Sequence, residues 1–330
     1  MSGELHSDDV SAAVGYWRVI GFPGTFSAWG LECVRQILLS AGYATDVTSL
    51  DDASPAVDDV PFDGDMQVRL LFGHGPVVLQ PGIVPLGTTV FLDAPARPFH
   101  ELLSNGCDPV DAARMLTATL APVGDILRED GTLLVIRTVE MDLVATQSAI
   151  VGHMSGILGH PPVPMPAWPP IDISAPVPIL VGQSLALLRQ SLIPLANHVV
   201  SAARDPIVWP LACFYAGDYL SEQASPFIEV VGKARIIYYG PYFYLPRGRW
   251  RADVQLIVSA TMRDKKLAVD VYAEGALARH EFKPVQGGLL RVSLQFSVER
   301  ADQRIEVRVE LLEGTIEGHL GLNQVLLHPI

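Results

Sequence analysis

Lysine is absent from the first 206 residues of this 330-residue chain, while the same stretch holds 22 Asp and Glu against nine Arg. That half alone accounts for the chain's net charge of −13, so the remainder is balanced. A lysine-free, carboxylate-rich half repels phosphate backbones, and no nucleic-acid partner is expected. Cysteine is scarce too. Cys33, Cys107 and Cys213 are too few and too widely spaced for a disulfide framework or a metal knuckle, which suits a reducing compartment. Long apolar runs are missing. The nearest to the ~18 residues that span a bilayer is Ile179 to Ala196, broken by Arg189 and Pro194. The opening Met-Ser-Gly-Glu-Leu-His-Ser-Asp-Asp has neither the basic start nor the apolar stretch of a secretory leader. No transmembrane segment and a cytoplasmic location are therefore expected. His100, His153, His160 and His198 lack metal-ligand spacing, and no Gly-x-Ser-x-Gly elbow occurs, so neither a metal site nor a serine hydrolase is expected.

What is present divides the chain by pattern. Residues 1–15 read as a loose tail. Over 16–160, strand-like segments alternate with helical ones. Tyr16–Gly21, Asp46–Leu50, Gln67–Phe72, Thr88–Leu92 and Thr132–Arg137 are the strands. Trp29–Ala41, a helix opened by Asp108-Pro109 and running to Arg128 with a kink near Pro122, and Leu143–Leu158 are the helices. Asp51 to Asp65 reads as an acidic loop. Such alternation predicts a three-layer α/β domain on a mostly parallel sheet. Residues 161–206 form a connector: eight prolines between Pro161 and Pro178, then a helix from Leu180 to Arg204 interrupted at Pro194. Over 207–330 the period changes to two. Strands at Ala234–Tyr239, Trp250–Ser259, Leu267–Ala273, Leu289–Phe296 and Arg304–Leu311 predict an antiparallel β-sandwich or jelly roll. The fold class is thus α/β plus all-β.

The turn after the first strand reads Pro23-Gly24-Thr25-Phe26-Ser27-Ala28-Trp29. A glycine- and hydroxyl-bearing turn from a buried strand into a helix has the layout of a phosphate cradle, though the Gly-Lys-Ser/Thr ending of a Walker A loop is missing. This segment resembles the start of a sulfotransferase of the class that uses 3′-phosphoadenosine-5′-phosphosulfate (PAPS), whose first strand runs into P-K-S-G-T-T-W. Pro23 and Trp29 match at the same separation. Val68 to His74 stands where that family has a strand ending in K-T-H-L-P, and Val90 to Pro95, followed by Ala96-Arg97, where it has R-D-P-R-D and then a serine.

The resemblance covers residues 16–160. It implies PAPS as cofactor, His74 as general base toward an acceptor hydroxyl, and Pro23, Gly24, Thr25, Phe26, Ser27, Trp29, Arg97 and Ser104 around the donor. The chain departs from the pattern at Gly24 for the sulfonate-contacting cation, Phe72 for the lysine before the histidine, Asp93 for the 3′-phosphate arginine and Glu101 near the serine. On the residues alone, a histidine between Gly73 and Gly75 reads first as a loop residue bonded to backbone, and only the resemblance makes it a base.

The densest aromatic stretch, Tyr238-Tyr239-Gly240-Pro241-Tyr242-Phe243-Tyr244, precedes Arg247, Arg249 and Arg251. Aromatic faces beside guanidinium donors suit sugar rings. Residues 207–330 resemble the carbohydrate-binding-like β-sandwich domains of bacterial polysaccharide proteins, which implies a saccharide or glycan partner. Tyr242 and Tyr244, together with Arg247 and Arg249, are the candidate glycan contacts. For the tyrosines, core packing is the competing role; for the arginines, ion pairing with the acidic domain. Three readings follow: a divergent sulfotransferase-like enzyme acting on a bacterial polysaccharide, a non-catalytic carbohydrate-binding or assembly scaffold with a degenerate nucleotide site, or an interaction module whose aromatic hairpin docks a partner protein.

Overall fold

The computed structural model describes residues 15–51, 67–75, 84–129, 131–138, 142–159, 168, 170–172, 177–218 and 222–330. The expected tail, most of the acidic loop and most of the proline-rich run lie outside the described residues.

The first domain is a five-stranded, wholly parallel sheet. Its strands are β1 (Gly15–Gly21), β2 (Ala44–Ser49), β3 (Gln67–Gly73), β4 (Gly87–Leu92) and β5 (Leu133–Arg137), in the order β2-β3-β1-β4-β5. The central strand alternates its side chains between two cores. Trp17 and Val19 point to one face and Ile20 to the other, all fully buried. Helices α1 (Thr25–Ser40) and α4 (Leu143–Leu158) cover the Trp17 face. Helices α2 (Ala96–Ser104) and α3 (Pro109–Glu129) cover the other.

Local chemistry sets several boundaries. Asp142 caps α4 by accepting from the Ala145 amide at 2.9 Å, and Gly159 ends it in the left-handed conformation. The α3 helix starts at Pro109, where Asp108 accepts from the Val110 amide at 2.8 Å, and continues through the buried Pro122 to Glu129. Helix α1 begins at Thr25, four residues before the periodicity predicts. Helix α2 was not anticipated, because Pro98 and the polar residues around it hide its short apolar face.

The connector helix is three pieces: α5 (Gly182–Leu187), a π-helical turn (Leu188–Leu192) and α6 (Ile193–Ser201). The three run on without a break, so the chain stays helical through Pro194, which directly follows the widened turn.

The second domain is an antiparallel sandwich. One sheet runs β13 (Ala276–Phe282), β12 (Leu267–Tyr272), β15 (Arg304–Leu311), β9 (Arg235–Tyr239), β7 (Tyr215–Ala216), with β10 (Pro241–Tyr244) also paired to β15. The other runs β14 (Gly288–Val298), β11 (Gly248–Val258), β16 (His319–Pro329), β6 (Ile207–Pro210), with β8 (Ile228–Glu229) also on β16. The expected strands are present. Strand β16 is additional and central; a bulge at Asn323 separates its buried Leu320 and Leu322 from Val325 and Leu327 and breaks the period-two signal.

The two domains share one core. Buried residues run without a break from Ile20, Leu71 and Leu92 through Leu116, Leu120 and Val123 of α3, on through Leu188, Leu192 and Leu195, to Trp209, Trp250 and Val307 of the sandwich. Helix α3 therefore packs on a sheet along one side and on the sandwich along the other. Arg247 fastens this contact from the sandwich. Its backbone N–H and Nε donate to Asp125 at 3.1 and 2.9 Å, and Nη2 donates to Glu129. Burial pushes the Asp125 carboxyl above the usual range despite the Arg247 and Arg128 guanidinium groups.

Leu120 is fully buried in this shared core. Leu120→Ala is expected to cost about 2–5 kcal/mol and to lower a single unfolding transition reported alike by tryptophan fluorescence and far-UV circular dichroism. Two separated transitions, only one of them shifted, would contradict a shared core.

His198 supplies a pH dependence. Its Nδ1 contacts the Ala203 carbonyl at 2.8 Å and its ring meets Trp250 edge-on at 5.2 Å. Burial, helped by Arg128 and Arg204, lowers its pKa below the ordinary 6.5. The folded protein then holds fewer protons than the unfolded chain. The contribution is complete above the ordinary value and disappears as pH falls through the depressed one. Melting temperatures of His198→Phe should fall less steeply than native ones as pH drops below about 6.5; parallel profiles would refute this assignment.

Candidate functional site

In a parallel α/β sheet, ligands gather beyond the carboxyl ends of the strands. Here those ends belong to β1 at Gly21, β3 at Gly73 and β4 at Leu92. The corner between β1 and α1, where the phosphate cradle was expected, is closed. The Thr25 amide at the head of α1 donates to Oε2 of Glu101 at 2.9 Å. Gly24 has φ 150°, and a β-carbon there would collide with the same carboxylate oxygen. The Ser27 hydroxyl turns inward and donates to the carbonyls of Phe22 at 2.6 Å and Gly24 at 3.0 Å. Phe26 and Trp29 are buried, stacked on one another at 5.8 Å with Phe91 edge-on. The void left is about 10 Å³.

The other donor-site candidates are engaged elsewhere. Arg97 pairs with Asp93 at 3.1 Å. Asp93 is buried and also accepts from the Thr138 hydroxyl at 2.5 Å; burial raises its pKa against both partners. Ser104 lies exposed at the end of α2, its hydroxyl facing His100 at 3.4 Å. Neither Arg97 nor Ser104 lines the void at Gly24. A phosphate-bearing donor such as PAPS does not fit these residues: its anion would meet the Glu101 carboxylate, which already holds the Thr25 amide, in a space smaller than a phosphate.

His74 stands on the other side of β1. Its Nδ1 lies 2.7 Å from the Gly21 carbonyl, which can only accept, so Nδ1 carries a proton and donates. Its backbone N–H and that of Gly75 donate to Oδ1 of Asp51 at 2.7 and 3.1 Å, and Nε2 lies 3.9 Å from Oδ2 of the same carboxylate. Thr119 of α3 donates its hydroxyl to the His74 carbonyl. The loop is thus held from β1, β2 and α3 together.

His74 borders a cleft of about 520 Å³ between the two domains. Among the described residues the α/β side contributes Asp51, His74 and Gly75 from strand ends, and Asp111, Arg114, Met115 and Ala118 from α3. The sandwich contributes Tyr242, Tyr244 and Arg304. Arg304 donates from Nε to the Tyr244 hydroxyl at 2.8 Å. Arg114 donates from Nε to the Pro241 carbonyl at 2.8 Å and from Nη2 to the Tyr215 hydroxyl at 2.7 Å, and pairs with Asp111.

Tyr242 has φ 65°, in the left-handed region that a bulky side chain rarely adopts, at a bulge where β10 slips against β15. Burial and its hydrogen bond to Glu306 push its phenol pKa up, so the ring stays neutral. Backbone strain of this kind, on the order of 1–3 kcal/mol, gathers at functional sites.

The structure therefore gathers His74, Tyr242 and Tyr244 from two domains into one cleft. It does not bring Arg247 or Arg249 there. Arg247 is drawn away by Asp125 and Glu129, and Arg249 is exposed in β11 opposite Ser297. Asp51, Asp111, Arg114 and Arg304 were missed. Arg114 carried a faint signal, as one of only nine basic side chains in the first 206 residues. Among the described residues, no cluster of His, Cys, Asp or Glu could hold a metal ion, and no helix is long and apolar enough to cross a membrane.

No known protein family matches the chain, and no curated protein does. Solved structures give partial likenesses. The sugar-binding C-terminal domain of EclA is 14% identical over 33% of this chain and 81% of its own, with a TM-score of 0.26. TmCBM61, solved with β-1,4-galactotriose, is 14% identical over 38% of this chain and 82% of its own, with a TM-score of 0.25. The C-terminal CBM6 of LamC, from Zobellia galactanivorans, is 15% identical over 38% of this chain and 99% of its own, with a TM-score of 0.25. Overlaps this partial place no constraint on what the cleft binds.

The closed corner has a measurable consequence. Adding 3′-phosphoadenosine-5′-phosphate at millimolar concentration should leave the melting temperature of the native protein unchanged. Glu101→Ala should lower stability by about 1 kcal/mol, as the α1 amide end loses its carboxylate. Stabilisation of the native protein by the nucleotide would overturn the geometry described.

Proposed function

We propose that the inter-domain cleft binds a neutral saccharide and that the protein is a carbohydrate-binding or assembly scaffold, its sulfotransferase-like domain serving as a platform without a nucleotide site. The observation that carries this reading is the lining of the cleft. Two tyrosine rings stand beside two guanidinium groups, two carboxylates and a histidine. Opposite charges are matched, which favours a hydroxyl-rich neutral ligand over an anionic one. Tyrosine offers an apolar face for the C–H side of a sugar ring, while Arg304 and Asp111 offer a donor and an acceptor for hydroxyls. A volume of about 520 Å³ lies within the range of small-molecule sites.

A transferase reading would need a cation at the transferred group. The turn at Gly24 supplies a carboxylate instead, and this favours the non-catalytic alternative.

A glycan array followed by calorimetric titration tests the proposal. Tyr242→Gly removes the ring and relieves the positive φ, which offsets part of the loss of its hydrogen bond to the buried Glu306, and its fold is checked by circular dichroism before titration. Its affinity for an array-identified saccharide should fall roughly tenfold or more, about 1.4 kcal/mol. Unchanged affinity in a folded Tyr242→Gly would reject the cleft as the site.

A further inference from the structure

The aromatic lining continues past the cleft. Tyr242 meets Tyr239 with ring centroids 6.1 Å apart, and Tyr239 lies 5.5 Å from Tyr215. Tyr215 and Tyr239 are directly opposed partners of β7 and β9, so their side chains share a face of the sheet. Tyr238, the neighbour of Tyr239, points into the core and is fully buried, which puts Tyr239 on the outer face. All three outer rings are part-exposed. A single cation ties the row to the cleft. The Arg114 guanidinium lies 5.3 Å from the Tyr215 ring centre and 5.6 Å from that of Tyr242. The row thus begins at a ring that lines the cleft and leads outward over the first sandwich sheet.

We propose that Tyr242, Tyr239 and Tyr215 form consecutive ring-stacking subsites, so that the ligand is an extended oligo- or polysaccharide chain whose one end enters the cleft. This rests on the saccharide reading of the cleft and adds the class of saccharide. A single sugar needs one aromatic face and the hydroxyl partners around it, which Tyr242 and the cleft already supply. Part-exposed rings in sequence beyond it reward a polymer, because each further sugar covers another apolar face at little ordering cost once its neighbour is bound. The left-handed backbone at Tyr242 fits this arrangement, since it turns that ring to meet both the cleft and Tyr239.

The test is calorimetric titration of the native protein, Tyr239→Ala and Tyr239→Phe. The probes are neutral saccharide ladders, monosaccharide to hexasaccharide, in the linkage that binds best on the glycan array. Native affinity is expected to rise roughly three- to tenfold per added sugar over the first steps and then level off. Tyr239→Ala should flatten that rise while leaving monosaccharide affinity within about twofold of native, and Tyr239→Phe should restore it. Affinity independent of chain length in the native protein, or an equal loss for monosaccharide and hexasaccharide in Tyr239→Ala, would overturn the extended-chain proposal while leaving the cleft reading intact. An array with no saccharide bound would remove both.

Discussion

Helix α3 is buried on two sides, and the rest of the structure depends on that. Its Leu116, Leu120 and Val123 face a core that begins under the parallel sheet and ends between the two sheets of the sandwich. A helix with one apolar stripe serves one layer; α3 is apolar around most of its circumference, with thirteen buried positions over six turns, so it can be wedged between two. Its polar residues then fall where the two domains part. Asp111 and Arg114 mark one end of the helix at the cleft, and Asp125 and Glu129 mark the other at the Arg247 clasp. The cleft exists because a shared core holds its two walls in register, with strand ends on one side and β10 on the other.

Charge explains why the α/β platform and its expected chemistry part company. A parallel sheet, the Gly-containing turn and the histidine at the end of β3 are present. The cations that an anionic donor requires are not, and carboxylates stand near two of their positions. Glu101 reaches the amide that a phosphate would use, and Asp93 ties up Arg97. In a half without lysine, the helix end is satisfied from within the protein. The sandwich, balanced in charge, contributes aromatic rings and guanidinium groups to the opposite wall.

Much of the fold was legible because period-two and helical patterns are local. The parallel strands, α4 to the residue, and β15 with its Ile305, Val307 and Val309 alternation could be read directly. What could not be read had non-local causes. Strand β16 lies between β11 and β6, and the extra residue Asn323, at a bulge against β11, puts Leu320 and Leu322 out of step with Val325 and Leu327. The short β10 carries a bulge that breaks simple counting at Tyr242, yet Tyr242 and Tyr244 still face the same cleft. For the site, His74 and the tyrosines stood out by composition and turn chemistry. Arg114 and Asp111 are one helical turn apart, where a charged pair reads as an ordinary surface bridge. Only the packing of α3 on β10 shows what they face.

A saccharide bound as proposed touches both domains at once. Hydrogen–deuterium exchange of the native protein with and without a saturating array-identified oligosaccharide measures this directly. Slowed exchange should appear together at residues 73–75, along the first turns of α3 and across 241–244. Protection confined to the sandwich, with the β3 end and α3 unchanged, would contradict the account.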